Sequence, residues 1–354
     1  TYMLTALTST APTALSLAHS STAVPPYSTR RVVHRGREFF SAQVQPAGHG
    51  APVPPLVLLP PVGVGIDRAF YNRLHQEWHA LGSPAAMHSY DLLGTGDASP
   101  KPRRFYSPEV WAAQLDDYLR EHVKTPSVLV VQGGLLPCAL EVWRRSGREA
   151  VAGVSLLSPP PLRFFSKGAD SRKFSRRTQR LLWAASCSPA GNLFFRRLRG
   201  GSPPGARIRE FTERSLFASE SDVGAEWVNQ CIAGARDARS RFSTFSYLCG
   251  SIPPGGAWRD ERTDVFDSLD VPLQLLRGDY GGLENATTKA EELLSRARLP
   301  ARECSAIVLG SRACLAYERP APTARMLARF MERHYRAPPA RSIPAGGDAG
   351  VVTP

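Results

Sequence analysis

The spacing of apolar and polar positions changes along the chain and marks out successive elements. "REFFSAQVQPAG" (37–48) reads as a strand and its turn, and "PLVLLP" (55–60) as a short buried strand. In "RAFYNRLHQEWHALG" (68–82), Phe70, Leu74, Trp78 and Leu81 fall on one helical face. "AMHSYDLLGTGD" (86–97) is a strand running into a glycine turn. Ser107 and Pro108 form a good N-cap and first-turn pair for a helix ending near Val123. A strand over 127–131, a helix over 136–146 and a strand over 151–158 follow. Short links between alternating strands and helices predict a parallel sheet covered on both faces.

That rhythm stops at 162–268, which is helical in pattern, loop-rich and broken by prolines at 203–204 and 253–254. It resumes with a strand over 271–279, a helix near 286–297, a strand over 305–310 and a helix over 321–335. A helical block between two halves of one sheet predicts a cap over the sheet's carboxyl edge. The predicted fold is α/β: a mostly parallel sheet with helices on both faces and an inserted helical cap. The sheet core falls on 38–161 and 269–336, and a Pro/Gly/Ala-rich tail (337–354) is expected to be disordered.

Composition adds two things. Residues 1–37 hold no acidic residue and four arginines, and twelve of the first thirty residues are Ser or Thr. This leader reads as a transit peptide, with an ordinary disordered terminus as the alternative. The net charge of +13 is localised: +4 in the leader, and sixteen Arg/Lys against seven Asp/Glu over 162–241. A basic stripe without interleaved aromatics or a zinc-finger pattern disfavours nucleic acid as the partner. The six cysteines lack metal-ligand spacing, so no metal is expected, and "GVGID" lacks the G-x-G-x-x-G fingerprint, so no cofactor is expected.

Four stretches carry a resemblance: "PPVGVGIDRAFYNR", "YDLLGTGDASP", "VVQGGLLPCALE" and "AYERP". In this order, on these elements, the chain resembles the α/β-hydrolase superfamily over about 37–336, and more narrowly its cyanobacterial and plastid branch. The resemblance implies a plastid protein, in the stroma or at the thylakoid surface. It also implies a serine nucleophile on a strained strand-to-helix turn, an acid after a later strand, a histidine after the last one, and N–H groups that hold an oxyanion.

This sequence departs from that pattern at each position. The nucleophile's place falls on Gly133, the acid's on Gly281 and the histidine's on Ala313. No histidine lies between His122 and His334. The substitutes are Cys138, in the first turns of the following helix, Ser158 at the end of a strand, and Asp279 as a displaced acid. Each also reads as structural: a buried thiol, a turn hydroxyl, a turn carboxylate. Asp91 and Asp97 read as caps of the turn they flank. On the oxyanion side Pro60 and Pro61 lack an N–H, but Val62, Gly63 and Gly134 keep theirs and are the candidate ligand-binding positions.

The leading expectation is a catalytically degenerate protein that binds a small apolar or ester-like ligand or serves as a scaffold. The alternatives are an ester or acyl hydrolase with a non-standard nucleophile, and RNA or ribosome association through the basic cap. Arg176, Arg177 and Arg180 mark a face for an acidic protein or an anionic membrane surface. Phe174, Arg177 and Leu181 are expected along one side of their helix, above an apolar underside packed on the sheet.

Overall fold

The computed structural model describes residues 27–46, 53–82, 85–159, 176–251, 269–279 and 305–335. Its strands are β1 (Ser28–His34), β2 (Arg37–Val44), β3 (Leu56–Leu59), β4 (Met87–Tyr90), β5 (Ser127–Gln132), β6 (Val151–Leu157), β7 (Leu273–Gly278) and β8 (Ser305–Val308). They form one sheet in the order β1-β2-β4-β3-β5-β6-β7-β8. The pairs β1–β2 and β2–β4 are antiparallel, and every later pair is parallel.

The central strands are apolar without alternation because both faces are covered. Val57 and Leu59 join the core on one side with Leu129 and Val131, beneath α2 (Pro108–Tyr118) and α3 (Leu136–Ser146). Leu56 and Leu58 join the core on the other side with Val128 and Val130, beneath α1 (Asn72–Ala80). One strand thus feeds two cores through its period of two.

Between β6 and β7 lie the cap helices α4 (Arg176–Cys187), α5 (Pro189–Arg199), α6 (Ala206–Ser215), α7 (Ala225–Gly234) and α8 (Arg241–Ser246). After β8 come the short α9 (Leu315–Glu318) and α10 (Pro320–Tyr335).

Three sequence expectations need correction. Residues 28–34, assigned by composition to the leader, form β1 and pair along β2. β1 is an edge strand whose side chains are mostly exposed, and Arg31 pairs with Glu38 across the hairpin. A charged edge strand carries no apolar alternation to read. Leu81 lies past the end of α1 and is 42% exposed, whereas Phe70, Leu74 and Trp78 are fully buried. Ser107 stands at the N-cap of α2, but its hydroxyl makes no capping bond; only its carbonyl accepts, from Val110 and Trp111. Leu181 is 71% exposed, on the exposed side of α4 that carries Arg177, and Trp183 and Cys187 pack on its inward side. The helix expected near 286–297, Phe174, Gly281, the prolines at 253–254, residues 1–26 and the tail from 336 lie outside the described residues.

Candidate functional site

The strand order reverses direction at β3, with β4 on one side of it and β5 on the other. At such a switch point the loops leaving neighbouring carboxyl ends diverge and open a crevice. The residues leaving β3 are Pro60 to Gly63, and the residue leaving β5 is Gly133.

Gly133 turns the chain from strand to helix with φ +64°, a left-handed conformation that favours glycine. Among the described residues, a Cβ built there would meet no atom within 4 Å. The point of the turn therefore faces open space, and the sequence places no side chain in it. Gly133→Ser is expected to fold and to lose on the order of 1–3 kcal/mol, from backbone strain rather than a clash. Thermal melting checks this, and an unchanged midpoint would contradict it. Val62, Gly63 and Gly134 are each partly exposed around this point. Gly63's carbonyl is already taken by the Thr244 hydroxyl at 3.2 Å.

Gln132, directly before the turn, is buried, and its Nε2 donates to the carbonyls of Leu157 (3.2 Å) and Ala313 (2.5 Å). Ala313 in turn donates its N–H to the Leu216 carbonyl of the cap at 3.0 Å. The turn after β8 is thus tied to the β5 turn on one side and to the cap on the other. Sequence reasoning missed Gln132, although a polar residue ending an otherwise apolar strand was the available signal.

Glu318 was also missed, though it stands inside "AYERP". Its carboxylate accepts from the N–H groups of Ala218 (2.7 Å), Arg312 (3.1 Å) and Cys314 (3.0 Å). Burial pushes its carboxyl above the ordinary range, and those three donors oppose the push. Arg312 reaches the Arg214 carbonyl at the end of α6 with its guanidinium (2.7 Å).

The substitutes named from sequence are engaged structurally. Cys138 is buried in the core. Ser158 holds a strained φ of +43° and donates its hydroxyl to the Arg312 carbonyl at 3.1 Å. Asp279 is exposed and accepts the Ser311 N–H at 3.1 Å, which fixes the turn after β8. His334 lies near the end of α10 with its ring against Phe330. Among the described residues no cluster of His, Cys, Asp and Glu could hold a metal ion.

A second polar centre lies after β4. Arg68 pairs with Asp91 (2.6 Å) and Asp97 (3.0 Å), and Asp91 also accepts the Asp97 N–H (3.2 Å). The two aspartates thus shape the turn, as the sequence suggests. Asp67 caps the next turn through the Ala69 N–H at 2.8 Å. Burial and the neighbouring Asp91 charge push its carboxyl up to about 7. Gly96 has φ +46°, and a Cβ there would fall 2.6 Å from Asp91 Oδ1, so the centre closes only around glycine.

Over both centres lies α8, whose hydroxyls reach the loops below. Ser243 donates to the Gly94 carbonyl (2.9 Å), and Ser246 accepts the Tyr106 N–H (2.9 Å). The insertion is therefore seated on the carboxyl edge, as a cap would be.

No protein-family model matches the chain, and no curated protein matches it. Solved structures do. An epoxide hydrolase from Acinetobacter nosocomialis is 13% identical, with TM-score 0.63 over 87% of this chain and 90% of that one. A bromoperoxidase from Bacillus anthracis is 13% identical, with TM-score 0.61 over 86% and 99%. An esterase from Thermogutta terrifontis is 16% identical, with TM-score 0.58 over 87% and 100%. The chain has the α/β-hydrolase fold with a helical insertion.

Proposed function

We propose that this chain keeps the α/β-hydrolase fold without Ser-His-Asp chemistry and uses the crevice at Gly133 to hold a small apolar or ester-like ligand. The observation that carries the reading is Gly133 itself: a left-handed turn facing open space, with no side chain to react. The turn after β8 supports it. The Ala313 side chain has no proton to transfer, and both its backbone groups are engaged, one by Gln132 and one by the cap. The partly exposed Val62, Gly63 and Gly134 border the crevice and offer N–H donors to a ligand carbonyl. The Ser/Thr-rich leader supports a plastid setting, as does the branch that the four motifs resemble.

The rival reading, hydrolysis with a non-standard nucleophile, rests on the strained Ser158. Its hydroxyl already donates to a carbonyl, and a serine without a base is a poor nucleophile. Cys138, the other substitute, is buried.

The test is turnover of short-chain acyl esters beside thermal melting with the same esters. The expected result is hydrolysis at the buffer rate and a raised melting temperature. Saturable turnover that Ser158→Ala abolishes would overturn the reading.

A further inference from the structure

The cap carries a feature that ligand binding at Gly133 does not use. From Arg176 to Arg199, which spans α4 and α5, the chain holds six arginines and no acidic residue. Arg199 is engaged by the carbonyls of Ala235 and Arg236. Arg177, Arg180, Arg196 and Arg197 are exposed, and among the described residues none of them has an acidic partner. The neighbouring helix α6 behaves differently: its Arg209 pairs with Glu213, and its Arg214 with Glu210, one turn apart. An ordinary solvated helix face is built like α6, with both signs interleaved. The α4–α5 pair is not.

The same two helices expose large apolar side chains. Leu181 on α4 is 71% exposed, and Leu193 and Phe194 on α5 are 55% and 51% exposed. Arg177 precedes Leu181 by four residues, and Arg197 follows Leu193 by four, so each leucine has an arginine on its own stripe of the helix. Both helices are strongly amphipathic and pack on each other and on the rest of the cap, Phe194 stacking on Phe245 at 6.0 Å. Exposed apolar side chains beside arginines that have no acidic partner among the described residues suit the boundary between headgroups and acyl chains. There the apolar groups enter the boundary while the guanidinium groups remain with the phosphates.

We propose that the α4–α5 face of the cap docks on an anionic lipid bilayer. A purely acidic surface would answer the arginines but gives no apolar contact to Leu181 and Leu193. A bilayer answers both, each arginine near an anionic surface adding attraction and each buried leucine adding apolar area. No helix among the described residues is long and apolar enough to cross a membrane, so the contact is peripheral. It does not depend on what the Gly133 crevice binds.

The experiment is co-sedimentation of the full chain with vesicles of phosphatidylcholine alone and of phosphatidylcholine mixed with phosphatidylglycerol, at low and high salt. Two variants accompany it: Arg177→Glu/Arg180→Glu/Arg196→Glu/Arg197→Glu, and Leu181→Asn/Leu193→Asn. All six positions are exposed, so both variants are expected to melt close to the parent. The parent should sediment with the anionic vesicles only, and salt should weaken the binding. The glutamate variant should lose at least about a hundredfold in partitioning. The asparagine variant should lose on the order of tenfold, most clearly at high salt, where apolar insertion dominates. A parent that ignores phosphatidylglycerol, or a glutamate variant that binds like the parent, overturns the proposal. An asparagine variant that binds like the parent also overturns it, because the face is then purely electrostatic and suited to an acidic macromolecule.

Discussion

Glu318→Ala is expected to cost about 3–5 kcal/mol, among the largest losses a single substitution produces. The reason lies in what the carboxylate serves. Three N–H groups, from Ala218, Arg312 and Cys314, have it as their acceptor, two on the turn after β8 and one on the cap. Alanine leaves them without it, and a buried unsatisfied donor costs roughly 1–3 kcal/mol. Glu318→Gln keeps one oxygen but turns an NH2 toward the remaining donors, so an intermediate loss is expected. The loss has a place as well as a size. Amide exchange should accelerate first at Arg312, Ala313 and Cys314, because these join the sheet to the end of α6 through Leu216 and Arg214. Denaturant melts of both variants, with exchange measured residue by residue, check this. Two variants as stable as the parent would contradict it.

The second large effect is a pH dependence. Asp67 is pushed up to about 7 by burial and by Asp91, from an ordinary value near 3.8. The folded state therefore holds this proton through a range in which the unfolded chain has released it. The stability it contributes is complete below the unfolded value and is lost as pH rises through about 7. Between about pH 5 and about pH 8 the parent is expected to lose on the order of 2–4 kcal/mol from this group. The Ala69 N–H and the Arg68 charge oppose the push on Asp67 without cancelling it, the Arg68 guanidinium being paired with Asp91 and Asp97. Asp67→Asn keeps an oxygen for the Ala69 N–H, and asparagine is as good a cap as aspartate. The variant should match the parent only below about pH 4, where the folded and unfolded chains both hold the Asp67 proton, exceed it increasingly as pH rises toward about 7, and lack the slope. Parallel stability curves for the two proteins would count against this placement of the charge.

The sheet was legible because its strands are buried on both faces. Runs as short as "PLVLLP" and "SVLVVQ", rich in Val and Leu and bounded by turn residues, suit strands buried on both faces. Helix 136–146 was legible to the residue, since its glycine start and serine end punctuate an apolar face. The edge strand β1 was not, because exposed arginines in a strand look like exposed arginines in a leader. The point of the crevice was legible as "QGG", since only a sharp turn explains two glycines between a buried strand and a helix. What holds the crevice was not. Gln132 reaches Ala313 across 181 residues, and Ala218 reaches Glu318 across 100, and no local pattern encodes either bond. The inward residues of α4, Trp183 and Cys187, were not legible either, because helical periodicity gives the spacing of a face but not which face the neighbouring helices cover.

The central claim is that the turn at Gly133 holds no nucleophile and that no other group replaces one. Intact-mass measurement of the native protein after exposure to a fluorophosphonate tests it most directly, because the reagent reports an activated serine whatever the natural substrate. The account predicts an unmodified mass after prolonged exposure. A single stoichiometric adduct that maps to one serine, Ser158 foremost, would contradict it.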